Sequence, residues 1–248
     1  FGRLCRDGRF FKVQRTTKRI CLLVMIKEIS NHIEQIVGQM DNKIVLQYDA
    51  TNERSNTCST KWSRVGKPIV DEFSNELFIT DVELDEWIKT SGSNDANGVY
   101  SLPIPYFIGG TRISANREWT ISTPNLMDKT PIIWLLHDIN YTKFGRENVF
   151  DFESDLRIFF LDETDIKNYY TKDHTENVVL PMSELCAEFI RTIENNRQYE
   201  TLEQYEIKNF TRFGVERENG MFQNIIDANL SGVELRIKLK KYKLNCNC

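Results

Sequence analysis

The chain has 248 residues, of which 40% are hydrophobic and 27% are charged, and it carries six prolines and twelve glycines. These values exclude a fibrous protein and a long disordered chain, and they allow one large globular domain. The formal net charge is −4, but residues 1–24 hold seven basic residues and one acidic residue, so this segment carries +6 and the rest −10. An acidic body is a poor non-specific ligand for nucleic acid, since contacts of Lys and Arg to phosphate supply most of that affinity.

Residues 1–24 form a basic leader, which we interpret as an upstream extension because the first methionine is Met25 and an amphipathic helix begins there. The apolar run at residues 20–26 has seven residues, far short of the ~20 that cross a bilayer, and no small-residue cleavage site follows it. The sequence therefore predicts no membrane contact. Residues 244–248 form a tail with Cys246 and Cys248, which we read as reduced thiols, the alternative being a site for a soft metal.

Predicted elements in the first half of the chain begin with a helix. Apolar residues between Ile26 and Met40 recur at helical spacing, and Lys43–Asp49 then reads as a strand. Residues 90–98 are turn formers. A strand is predicted over Val99–Ile108, where Pro103 and Pro105 favour an edge position because proline cannot donate to the ladder. We expect a loop-rich insertion around residues 91–129.

Clearer patterns follow in the second half. Pro131–His137 and Leu156–Leu161 are continuous apolar runs, typical of buried strands. Apolar residues from Met182 to Ile193 recur at i, i+3, i+4, i+7 and i+8, which predicts a helix. In the last strand, alternate residues from Val233 to Leu239 are apolar and those between them are charged. These patterns predict an α+β fold with a largely antiparallel sheet and two or three helices, as a single domain over residues 25–243.

Motifs for chemistry are sparse. No glycine-rich phosphate loop and no nucleophile elbow occurs, so the sequence predicts no cofactor and no enzyme activity. His137-Asp138 ends a strand, as some metal ligands do, but no further ligands follow at a recognisable spacing. The run Ser93 to Gly98 begins like a calcium loop, yet its twelfth position is Ile104, where a bidentate Glu is needed.

A metal-dependent nuclease or other hydrolase is the alternative function. Its candidate residues are Asp155, Asp165 and Lys167, since carboxylates with a Lys can bind a divalent ion and activate water. Asp151 and Glu153, like Asp155, precede the predicted strand at Leu156–Leu161. The competing interpretation is that these residues lie in solvated turns.

The charged side of the last strand carries the main local basic cluster outside the leader. Arg236, Lys238 and Lys240 point to one face, and we predict them as an interface with a partner or with other copies of the chain. No aromatic residues interleave there as they do in surfaces that stack bases. A solvated outer face is the alternative.

The order of several segments resembles the tail-completion, or tail terminator-like, proteins of tailed phages and prophages of the Bacteroides group. The resemblance covers roughly residues 25–243 and rests on pattern and order. It is carried by four segments: residues 130–136, 152–160, 181–189 and 224–236.

This resemblance implies a structural role in a virion, at the tail end or the head–tail junction, and in the bacterial host cytoplasm during assembly. Such proteins form rings that stop tail-tube growth and dock to neck proteins. The implied partners are other copies of the chain and tail-tube or neck proteins, with DNA at most passing through a channel. Ring closure needs head-to-tail contacts, for which edge strands at Val99–Ile108 and Val233–Leu239 are the predicted source.

Overall fold

A computed structural model describes residues 27–91, 96–121, 129–200, 202–216, 218 and 222–243. Its strands pair mainly antiparallel and pack with helices, which confirms the predicted α+β class. The strands form two main assemblies, a closed barrel and an open sheet. A sequence reading finds single strands but does not say which of them pair, so this division was not predicted.

The barrel occupies the amino-terminal part of the described chain. Its strands are β1 (Lys43–Asp49), β2 (Arg54–Asn56), β3 (Pro68–Asp71), β4 (Glu76–Glu83), β5 (Trp87–Thr90) and β6 (Gly98–Ser101). They close in the order β1-β2-β5-β4-β3-β6, and all their pairings are antiparallel. Inward side chains such as Ile44, Leu46 and Ile88 are fully buried, because alternate residues of a barrel strand face its interior.

The open sheet follows. Its strands are β7 (Tyr106–Gly110), β8 (Ile132–Leu136), β9 (Asn140–Lys143), β10 (Phe150–Glu163), β11 (Tyr205–Phe210) and β14 (Leu230–Tyr242). The order is β11-β14-β10-β8-β7, and β9 pairs with the first part of β10. Only the β7–β8 pairing is parallel among these strands. A separate hairpin joins β12 (Gly214–Glu216) to β13 (Phe222–Asn224).

Helices cover both faces of this sheet. Residues 27–39 form α1, followed in the chain by α2 (Arg112–Ile121), α3 (Thr171–His174), a π-helical turn (Thr175–Val179) and α4 (Leu180–Asn195). The helix predicted around Met182–Ile193 is α4, and its apolar face is buried. Within the described ranges, no helix is both long enough and apolar enough to cross a membrane.

Two apolar clusters lie on opposite faces of the sheet. The larger cluster joins α1, α4 and one face of β10 and β14 to the barrel interior, with Ile33, Leu46, Phe160 and Phe189 among its members. The smaller cluster packs α2 and the segment after β11 against the other face, around Trp134. All five residues of β8 are buried because it is covered on both faces, as its continuous apolar sequence predicted.

The β10–β14 pair is the longest ladder of the sheet and runs from Phe150 opposite Tyr242 to Glu163 opposite Leu230. Strand β14 also pairs with β11 along its other side. The prediction that Val233–Leu239 supplies an edge strand is therefore wrong. Alternation along one strand shows which face is buried, but it carries no information on how many neighbours the strand has.

The region around residues 91–129 differs from the loop-rich insertion that the sequence predicted. Its described part holds β6, β7 and α2. The strand predicted over Val99–Ile108 is two strands: β6 closes the barrel and β7 is an edge of the open sheet. Pro103 and Pro105 lie in the link between them, where no ladder hydrogen bond has to be donated. Residues 92–95 and 122–128 lie outside the described residues.

Candidate functional site

The predicted interface residues lie on the face of the open sheet that carries the smaller apolar cluster. Helix α2 and the segment after β11 cover one part of this face, where Phe159 and Leu161 are buried. The other part is a charged surface, which Arg236, Lys238 and Lys240 of β14 share with side chains of β10 and β11. The structure therefore places all three predicted residues on one face, as the alternation of the strand indicated.

Each of these three basic groups has an acidic partner. Arg236 Nε lies 2.8 Å from Glu234 Oε1, Lys238 Nζ lies 3.2 Å from Glu153 Oε1, and Lys240 Nζ lies 2.8 Å from Glu200 Oε2. Exposed pairs of this kind contribute little stability, about 0–1 kcal/mol each. Their main effect is on charge, because the predicted basic cluster is largely neutralised in the folded chain.

Glu234 is the exception on this face, since its side chain is only 2% exposed. Burial alone would raise the pKa of its carboxyl, but hydrogen bonds and charges from Arg236 and Arg157 outweigh burial and lower the pKa below its ordinary value. Arg157 Nε donates to the same carboxylate at 2.7 Å. The carboxylate is therefore ionised at neutral pH and fixes two arginines.

A shallow groove of about 570 Å³ crosses this charged surface. Its polar lining includes Asp138, Asn140, Asp155, Arg157, Glu206 and Arg236. Its lining carries both acidic and basic side chains, so it presents no field of one sign. Such a surface suits a partner with charges of both signs better than a polyanion.

Strand β11 is an edge of the sheet and borders this surface. One side pairs with β14, and no strand within the described residues pairs with the other side. Five of its six residues are exposed, including Tyr205 at 48% and Ile207 at 42%. An exposed edge strand with apolar side chains is a ready template for strand pairing with another chain. The place of β11 at the edge depends on strand pairing and was not predicted from the sequence.

The residues of the nuclease alternative are not brought together. Asp155 lies within β10, opposite Asn140 and Lys238, whereas Asp165 and Lys167 follow the end of that strand. The part of β10 from residue 155 to residue 162 alone spans roughly 23 Å, at about 3.3 Å per residue of strand, and Asp165 lies further along the chain. Asp165 instead accepts hydrogen bonds from the backbone of Lys167 and from Asn168, which hold a turn and lower the pKa of its carboxyl.

The histidines have structural partners. His137 Nε2 lies 2.8 Å from the Ser30 hydroxyl of α1, and burial lowers its pKa. His174 Nδ1 lies 2.6 Å from the Thr164 hydroxyl. The first contact connects α1 to the end of β8, and the second connects α3 to the loop after β10. No group of three or more His, Cys, Asp or Glu side chains suited to a metal ion occurs within the residues that the structure describes.

His32 makes a closer contact with a cation. Its Nε2 lies 2.5 Å from the ammonium nitrogen of the buried Lys241, and its ring stacks on Phe152. Burial lowers the pKa of both groups, and the Lys241 charge lowers that of His32 further. The pair therefore joins α1 to β14, with the imidazole of His32 facing the amine of Lys241.

Cysteines play two different parts. Cys186 lies on the apolar face of α4 and is fully buried, and burial raises the pKa of its thiol to about 12. Cys58 is an exposed free thiol. Cys246 and Cys248 lie outside the described residues, as do the leader at residues 1–24 and part of the run Ser93 to Gly98.

One buried charged group was missed from the sequence. Arg64 and Lys67, in the link between β2 and β3, both contact Asp162 near the end of β10. The three residues join the barrel to the open sheet. No local pattern indicates this group, because its members come from two distant segments.

Comparison with known proteins assigns the chain to no family. No protein-family model, no curated protein and no solved structure matches it.

Proposed function

We propose that this chain is an assembly protein that works by associating with copies of itself, as a tail terminator-like component of a phage virion. The observation that carries the proposal is the outer edge of β11, which no strand of the described residues pairs with, together with the exposed Tyr205 and Ile207 of that strand. Main-chain hydrogen bonds across such an edge give affinity, and the alternate side chains give specificity.

The two edges of the open sheet differ, which favours a head-to-tail arrangement. One edge is β11, and the opposite edge is β7, which runs parallel to its neighbour β8. A contact between unlike patches of successive copies produces a ring when the rotation closes. A pairing of β11 with itself would instead produce a two-fold dimer and no ring.

The place of the ring in a virion rests on the resemblance of four segments. Their described parts belong to one body: β8, β10, α4, and the segment from Asn224 into β14. The resemblance thus concerns neighbouring elements of the open sheet rather than scattered pieces. This supports a shared architecture in that part of the chain, with tail-tube or neck proteins as further partners.

Native mass spectrometry over a range of concentrations tests the proposal. We expect one discrete closed ring rather than a monomer or an open series of masses. The double substitution Tyr205→Lys and Ile207→Lys is expected to give monomers, because charged residues on an edge strand oppose pairing. Phe73→Lys is the matched control, since Phe73 lies between β3 and β4 of the barrel, in neither edge strand of the open sheet, and is 77% exposed.

Circular dichroism would establish that each variant is folded. A wild-type chain that stays monomeric at high concentration would overturn the proposal. So would a β11 double variant that assembles as the wild type does.

A further inference from the structure

The two outer strands of the open sheet lie at the same level and run in opposite directions. Leu135 of β8 pairs with Gly109 of β7 on one side and with Ile158 of β10 on the other. Ile158 pairs in turn with Leu235 of β14, which pairs with Ile207 of β11. One parallel and three antiparallel pairings separate the outer strands, so β11 runs antiparallel to β7. Copies joined edge to edge in one sheet would therefore place Ile207 of one copy near Gly109 of the next.

Helix α2 lies directly beside the β7 edge. The chain leaves β7 at Gly110 and enters α2 at Arg112, which is exposed and forms no ion pair with a described residue. Ala115 and Trp119 are buried in the smaller apolar cluster, so α2 lies on the face of the sheet that also carries the charged surface. Ile113 is 84% exposed, more than any other large apolar side chain of the described residues. The first turn of α2 thus presents an apolar and a basic side chain, neither of which has a partner there.

The groove of the charged surface reaches β11 at Tyr205 and Glu206. Both residues come just before Ile207 in the chain, whereas the first turn of α2 comes just after Gly109. Because β11 and β7 run in opposite directions, both segments lie on the same side of the level that Ile207 and Gly109 share. In a continuous sheet, the first turn of α2 of one copy therefore meets the groove of its neighbour.

The charges of the groove and of α2 are complementary. The groove is lined by three acidic and two basic side chains, namely Asp138, Asp155, Glu206, Arg157 and Arg236. Both arginines already hold the buried carboxylate of Glu234, so the groove has an acidic surplus. Helix α2 has the opposite balance, since it carries Arg112 and Arg117 against Glu118. Complementary charges of this kind orient two partners and fix the register of their contact.

We propose that the first turn of α2 of one copy docks into the groove beside β11 of the next copy. Arg112 faces the acidic side chains of the groove, and the contact shields Ile113 from water. The inference rests on the proposed self-association through β11, and it names the surface of the neighbour that β11 meets. Each copy uses its α2 surface once and its β11 surface once, as a head-to-tail contact requires.

The first test is the full chain with Arg112→Glu and Ile113→Lys, called the α2 variant. Both side chains are exposed, so the fold should be kept, which circular dichroism checks. We expect association to weaken about tenfold or more in native mass spectrometry, because the groove then meets like charges. The matched control is Arg146→Glu with Val149→Lys, which makes the same changes in the exposed turn between β9 and β10.

The second test mixes the α2 variant with the β11 variant, Tyr205→Lys with Ile207→Lys. The first keeps an intact β11 and the second keeps an intact α2, so a mixture can form one contact and no more. We expect each variant alone to be a monomer and the mixture to give dimers with one copy of each. Dimers of the α2 variant with itself, or no mixed dimer at any concentration, would overturn the inference.

A third measurement needs no variant. Hydrogen exchange of the wild-type chain is followed while the concentration is raised through the assembly range. We expect the amides of residues 109–114 to become protected together with those of β11. Protection that is confined to β11 would refute a contact with α2.

The outcomes separate this inference from the proposed function. A wild-type chain that remains a monomer overturns both. A β11 variant that is monomeric, beside an α2 variant that assembles as the wild type does, overturns the docking of α2 and leaves self-association through β11 in place.

Discussion

Arg157 and Arg236 lie directly opposite each other on β10 and β14, and the Nε atoms of both donate to Oε1 of Glu234, at 2.7 and 2.8 Å. Like charges placed directly across a ladder destabilise it. The buried carboxylate removes this repulsion and ties the central pair of strands together. It does so from the charged side of the alternating strand β14.

Glu234→Gln should therefore destabilise the protein clearly. The change leaves two facing arginines without their shared counter-charge, and loss of one partner of a buried ion pair costs about 3–5 kcal/mol. Because the arginines are partly exposed, we expect about 2–3 kcal/mol in the free energy of unfolding, measured by urea denaturation. Glu206→Gln, which removes an exposed partner of Arg236, should cost less than about 1 kcal/mol. Equal losses in the two variants would contradict this account.

Gly232→Ala should be among the most damaging small substitutions. Gly232 has a φ of +152°, and a Cβ atom there would lie 2.0 Å from the carbonyl oxygen of Phe160. The clash is with the backbone of the paired strand, so no side chain can move aside. We expect a loss of about 3 kcal/mol or more. Gly38→Ala is the control, because no atom lies within 4 Å of its added Cβ; a stable Gly232→Ala chain would show that β14 can shift.

Acid should destabilise the protein through His32. Burial and then Lys241 lower its pKa below 6.5, while Glu28 and Asp151 act in the opposite direction. The unfolded chain therefore binds more protons than the folded chain below pH 6.5, and stability falls as the pH decreases through that region.

The variant His32→Phe keeps a ring against Phe152 and removes the titrating group. Its unfolding free energy should decline less than that of the wild type between pH 7.5 and pH 5.5. Some decline remains, because burial also lowers the pKa of His137. Identical pH profiles for variant and wild type would rule out the assigned role of His32.

The nuclease alternative makes a separate prediction. If it holds, the protein cleaves DNA with Mg²⁺ or Mn²⁺, and Asp165→Ala abolishes cleavage while Asp155→Ala weakens it. We expect no metal-dependent cleavage, since Asp155 lies within β10 and Asp165 lies beyond the end of that strand. Asp165→Ala should instead lower stability slightly, through the lost hydrogen bonds of its turn. Cleavage that depends on Asp165 would replace the assembly proposal.

Local periodicity predicted those elements whose environment is uniform along their length. Strand β8 is buried on both faces and reads as an unbroken apolar run, and α4 has one apolar face at helical spacing. Strand β1 was predicted with the bounds Lys43–Asp49 that the structure has. In each case the order of apolar and polar residues directly reflects which positions are buried.

Contacts between distant segments produce no local sequence pattern and could not be predicted in this way. Glu234 lies on the charged side of the alternating last strand, yet it is buried, because Arg157 of another strand pairs with its carboxylate. The barrel closes only because β1 pairs with both β2 and β6. The edge position of β11 and the meeting of Arg64 with Asp162 likewise depend on the finished fold.

The larger apolar cluster passes from the barrel interior through α1 to the open sheet and α4 without a break. The link at residues 102–105 therefore separates two assemblies of strands but not two independently stable units. Cleavage there, or expression of either half alone, would expose to water the surface by which each half holds the other. Both halves should then melt in one transition in the intact chain, and neither should survive by itself.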